Sequence, residues 1–186
     1  MDFVKKNWAK LVISILALVG VVFTAILLMT GPIKDVSLGE YTNGMYCSSL
    51  YTLIAQVMFF VAILAFTVLR MFESTKKIGN YVLLTLGVGA LVFAILSMTS
   101  AMTYLDYARA QVQAGYTLAD TLPSGVEIEA IGGITKEAFV NSLEVSDYSL
   151  TLGTYTKIVN MVLFGALPIA YAVKKLMKKT KVDSKM

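Results

Sequence analysis

At 186 residues the chain is 57% hydrophobic and 15% charged, with a mean hydropathy of +0.72, more apolar surface than a soluble domain of this size hides. Its formal charge of +4 does not signal a nucleic-acid partner, because the cations cluster beside long apolar runs. With no histidine and one cysteine, Cys47, the chain lacks histidine-dependent catalytic triads, the commonest metal ligand and any internal disulfide framework.

The expected fold is an all-α integral membrane protein, a four-transmembrane-helix bundle carrying a small, mostly helical extracellular loop subdomain. Lys5, Lys6 and Lys10 surround Trp8 ahead of an uncharged run from Leu11 to Ile33. That run exceeds a signal-peptide core and has no small-residue cleavage site after it, so it reads as a retained first span, about 8–30. Gly31-Pro32 should end the helix, and Lys34 to Gly44 reads as a polar loop with an Asn43-Gly44 turn. The second span, about 48–70, closes at Arg70. Met71 to Gly79 is too short for a domain, so spans two and three form an antiparallel hairpin.

The third span, about 80–105, carries no charge from Tyr81 to Leu105. Gly87, Ala90, Ala94, Ser97 and Ala101 follow a 3-4-3-4 spacing that lets backbones approach closely. The seam serves either packing within the bundle or a dimer face. Its periodicity continues through Asp106 and Arg109 to Ala114, and Gly115 is expected to end the helix outside the bilayer.

Residues 106–150 form the expected extracellular loop subdomain, punctuated by Pro123-Ser124-Gly125 and Gly132-Gly133. Thr135 reads as the N-cap of a short helix over 136–143, and Val126, Ile128, Ile131 and Ile134 as a short strand or an extended strip. The fourth span, about 152–173, has an uncharged core from Ile158 to Val173 and accommodates Lys157 by snorkelling, with Pro168 expected to kink it. The basic tail follows, including Lys174, Lys175, Lys178, Lys179 and Lys181.

Cytoplasmic termini put 12 of the 16 Lys and Arg inside and 9 of the 12 acidic residues outside, the distribution of a multi-pass cell-membrane protein. In the order and sizes of its segments the layout resembles tetraspanins, but without their Cys-Cys-Gly motif and paired loop cysteines.

No residue pattern points to catalysis, to a cofactor or to a metal, so an enzyme is not expected. Gly87-Val88-Gly89 lies inside an apolar span and reads as packing. Asp120, Glu127 and Glu129 read as a solvated acidic loop, with a weak cation site as the alternative. Thr24, Gln56, Thr99 and Asn160 fall at similar depth and suggest one polar layer, either a structural clasp or the floor of a cavity. At the outer boundary Lys157 is expected to pair with Asp106, Glu144 or Asp147. The tail lysines read as topogenic and as contacts for anionic lipid headgroups at the cytoplasmic face. The expected partners are those lipids and a protein partner or a homo-oligomer, with no nucleic acid. The function expected is a non-enzymatic interaction, accessory or scaffold protein with an extracellular partner-binding loop; the alternative is a small oligomeric channel or facilitator.

Overall fold

The computed structural model describes residues 2–30, 39–125, 127–129 and 132–183. Positions 31–38 of the expected first loop, Val126 and Ile131 of the apolar strip, and the side chains of Lys178, Lys179 and Lys181 lie outside the described residues. The chain is helical almost throughout, and four stretches are long and apolar enough to cross a membrane: Phe3–Thr30, Gly44–Leu69, Lys76–Thr121 and Lys136–Met177.

Helix α1 runs over Asp2–Thr30 and α2 over Gly39–Leu69. The start of α2 corrects the loop expected up to Gly44. Gly44 faces α3, where a Cβ would lie 3.1 Å from the Ser100 carbonyl oxygen, and it heads a buried row with Ser48, Ala55 and Ala62. A glycine inside a helix costs only about 1 kcal/mol, so seating this row against α3 overrides the Asn43-Gly44 turn preference.

Helix α3 covers Lys76–Thr121, 46 residues and about 69 Å, more than twice the hydrocarbon thickness of a bilayer. Gly115 does not end it. Instead the side chain of Leu143 occupies the space beside that glycine, 2.6 Å from where a Cβ would be. The helix stops at Leu122, whose extended backbone is the conformation forced on a residue preceding proline, here Pro123.

A two-residue hairpin follows, β1 (Glu127–Ile128) against β2 (Ile134–Thr135), antiparallel with Glu127 opposite Thr135 and Ile128 opposite Ile134. Gly132 and Gly133 turn it with φ of +80° and +73°, which only glycine adopts without strain. Helix α4 then runs over Lys136–Asn160. Its N-cap is Thr135, whose hydroxyl accepts the Ala138 N–H at 3.3 Å, but the short helix expected here continues unbroken towards the fourth span. A π-helical turn, Met161–Ala166, joins it to α5, Leu167–Asp183. The widened turn sits just before Pro168, with the Leu167 N–H reaching back to the Val162 carbonyl.

Helix α1 packs on α2, α2 along α3, and α3 also receives α4, the π turn and α5. Small residues set the spacing. At Gly165 a Cβ would lie 2.8 Å from Leu91 Cα, and at Gly87 3.3 Å from Ile169. Ala62, Leu83 and Ala172 form a buried core, flanked by Ile63, Phe66, Leu84 and Leu86. The outer faces are apolar too, with Ile15, Leu16, Val19 and Phe23 exposed on α1 and Val88, Val92 and Ile95 on α3. Beyond the bundle, α3 from 106 onward and α4 up to 150 form a two-helix arm, closed at its tip by the β-hairpin.

Candidate functional site

The expected seam on α3 is entirely buried: Gly87, Ala90, Ala94, Ser97 and Ala101 all lie inside the single chain. Its one polar member opens onto the most organised polar site among the described residues. Ser97 is 2% exposed, and across the seam on α2 lie Ser48, 1% exposed, and Thr52, one turn further along. The Ser97 hydroxyl donates to the Ser48 carbonyl at 2.8 Å and lies 2.6 Å from the Thr52 hydroxyl, which bonds the same carbonyl at 2.8 Å.

Lys157 on α4 completes the cluster. Its ammonium donates to Thr52 Oγ1 at 2.9 Å, to Ser97 Oγ at 3.2 Å and to the Ser48 carbonyl at 3.5 Å. Three protons thus meet three acceptors, and three helices are fastened at one point.

The outer-boundary ion pair is therefore corrected. Because α4 is continuous, Glu144 and Asp147 sit 13 and 10 residues from Lys157 on the same helix, about 20 and 15 Å up its axis. Asp106 lies 3.7 Å from Arg109 instead, and Arg109 also donates to Thr154 Oγ1 at 2.9 Å. Arg109 and Thr154 thus link α3 and α4 at the level where the sequence suggests an ion pair of Lys157 with Asp106.

The expected polar layer does not assemble. Thr24 donates to the Gly20 carbonyl on its own helix at 2.6 Å, and Thr99 is exposed and donates to Leu96 at 3.0 Å. Gln56 and Asn160 are half-buried, and among the described residues no hydrogen bond joins these four side chains. A threonine can satisfy itself on the preceding turn, so similar depth does not bring side chains to a common face. The missed signal was the Ser48/Thr52 pair, two hydroxyls at i and i+4, opposite the polar member of the seam.

No known protein family, characterised protein or solved structure matches the chain.

A second feature lies on the two-helix arm. Tyr107, Ala108, Gln111 and Val112 of α3 and Val145, Ser146, Ser149 and Leu150 of α4 line an open groove of about 550 Å³. Its surroundings are apolar and exposed: Val145 is 63% and Tyr148 69% accessible, with Leu152 and Tyr155 continuing the strip. At the opposite end of the bundle, Lys10 donates to the Arg70 carbonyl at 2.9 Å and to Asn7 Oδ1 at 2.7 Å, holding the end of α2 against α1. Lys76 and Glu73 pair in the turn between α2 and α3, and this hydrogen bond holds the Glu73 carboxyl below the usual carboxylate range. Lys174 is exposed, while Lys175 lies over the Tyr171 ring.

Proposed function

We propose that the protein is a non-enzymatic interaction or accessory protein of the cell membrane, inserted by four spans with both termini cytoplasmic, whose extracellular arm binds a partner protein. The groove between α3 and α4 carries this reading. Isolated exposed apolar residues need no explanation, but a contiguous groove with tyrosine, valine and leucine around it suits a docking surface. The positive-inside distribution supports the orientation, since it places the arm on the side away from the basic tail.

Charge narrows the partner's chemistry. From residue 106 to 150 the chain has seven carboxylates against Arg109 and Lys136, so the complementary surface is an amphipathic helix with basic flanks. Within this reading, the Lys157 cluster keeps the base of the arm rigid by fastening α4 to α2 and α3.

The test is site-specific photo-crosslinking of the full chain in its native membrane. Probes at Val145 and Tyr148 should give one discrete adduct that disappears when Ser149→Arg fills the groove, whereas a probe at the outward-facing Ile95 should not give it. Equal labelling from all three positions would defeat the docking reading. Ion leakage from protein-containing liposomes above that of empty vesicles would favour the oligomeric channel instead.

A further inference from the structure

A second groove, on the bundle itself, has a different chemistry. Ile13 of α1, Phe59, Ile63, Phe66 and Thr67 of α2, Leu83 of α3, and Leu163, Phe164, Leu167, Pro168 and Tyr171 of the π turn and α5 line an open groove of about 540 Å³, with an almost wholly apolar lining. It runs from mid-span at Phe59 towards the end of the bundle that carries the chain termini. At that end Phe66 and Tyr171 meet edge to face, with ring centroids 5.7 Å apart. Each ring carries a cation: the Arg70 guanidinium lies 5.2 Å from the Phe66 centroid, and the Lys175 ammonium 5.3 Å from that of Tyr171. Among the described residues neither cation forms a salt bridge.

We infer that this groove is a binding site for one anionic phospholipid, with an acyl chain lying between Phe59 and Phe66 and the headgroup held by Arg70 and Lys175. An apolar channel ending beside two cations that form no salt bridge among the described residues complements a molecule that is hydrocarbon at one end and anionic at the other. The groove is open along the two turns from Phe59 to Phe66, about 10 Å, and its 540 Å³ accommodates a hydrocarbon chain, while the two cations beside its end favour an anionic group over the wholly apolar face of another helix.

This inference rests on the membrane insertion proposed above and is independent of the extracellular partner. It also differs from general attraction of a basic tail to a charged surface, because it assigns one lysine and not its neighbour.

The full chain is reconstituted in nanodiscs containing equal phosphatidylglycerol and phosphatidylcholine, released into mild detergent, and its retained lipid is counted by native mass spectrometry. One phosphatidylglycerol should remain bound in preference to phosphatidylcholine. Arg70→Gln and Lys175→Gln should each reduce that preference roughly fivefold, the effect of one interfacial cation on anionic-lipid affinity. Lys175→Arg should restore it, and Lys174→Gln should leave it intact. Leu167→Trp, which fills the groove, should abolish retention while size exclusion shows the bundle intact.

Equal retention of the two lipids would overturn the inference. So would an equal effect of Lys174→Gln and Lys175→Gln, unchanged retention in Leu167→Trp, or a dimer mass in place of bound lipid. Failure of membrane insertion is read separately, as extraction of the chain by alkaline carbonate.

Discussion

Ser97→Ala tests whether Lys157 is held by its hydroxyl neighbours, and its cost should depend on whether the ammonium is present. With Lys157 in place, the substitution removes one of three acceptors, and losing a bond to a charged group costs about 2 kcal/mol. In a Lys157→Met background the Thr52 hydroxyl still serves the Ser48 carbonyl, so the same change forfeits only a neutral interhelical bond, about 0.6 kcal/mol. The expected coupling is therefore about 1.4 kcal/mol, a tenfold change in the unfolding equilibrium. Lys157→Met alone should be close to neutral, because the hydrogen bonds it forfeits are offset by the cost of desolvating an ammonium between helices. Reversible SDS unfolding in mixed micelles of the parent, both single variants and the double variant measures all three quantities. Additivity within about 0.3 kcal/mol would refute the reasoning, since it would mean that Ser97 and Lys157 do not interact.

Close helix contact predicts opposite outcomes at two glycines of the fourth span. Gly165→Ala places a Cβ 2.8 Å from Leu91 Cα, which cannot rotate away, and should destabilise by about 1–3 kcal/mol in the same assay. Gly153→Ala meets nothing within 4 Å and should stabilise by up to about 1 kcal/mol through helix propensity; matching effects at the two positions would contradict the packing described. In the turn between α2 and α3, Lys76→Met should let the Glu73 carboxyl titrate at higher pH, followed by carbon-detected NMR, and an unmoved midpoint would show that the hydrogen bond does not form in solution. Because pairing lowers the Glu73 pKa in the folded chain, any stabilisation from it is present above the unfolded carboxylate's pKa and lost as pH falls through the folded one.

What the sequence made legible was set by one-dimensional signals. Uncharged runs bounded by lysine and arginine marked the four apolar stretches, and the spacing from Gly87 to Ala101 marked the buried face of α3. The Thr135 cap was also readable, because Ser/Thr capping depends only on local geometry. The failures came where tertiary contact overruled a local preference. Gly44 and Gly115 looked like punctuation, yet each makes room for a neighbour, Ser100 and Leu143, so both helices continue through them. Nor does any local signal show that α4 is continuous over Lys136–Asn160, which sets the distances from Lys157 to Glu144 and Asp147. A lysine near a boundary suggests a carboxylate partner, but which way it turns depends on what the adjoining helices present. Here that was Ser48, Thr52 and Ser97.

The π turn at 161–166 also fixes angular phase. In an uninterrupted α-helix the eight residues from Lys157 to Gly165 would turn through about 800°, leaving the two side chains about 80° apart. The wider turn absorbs about one residue, roughly 100°, so the lysine reaches Thr52 and Ser97 while the glycine still faces Leu91. One position in that turn is thus spare in register. Deleting a residue there leaves Lys157 and Gly165 seven apart and again in phase, so such a shortened chain should unfold near the parent's SDS midpoint, whereas a deletion between Leu143 and Lys157 should not.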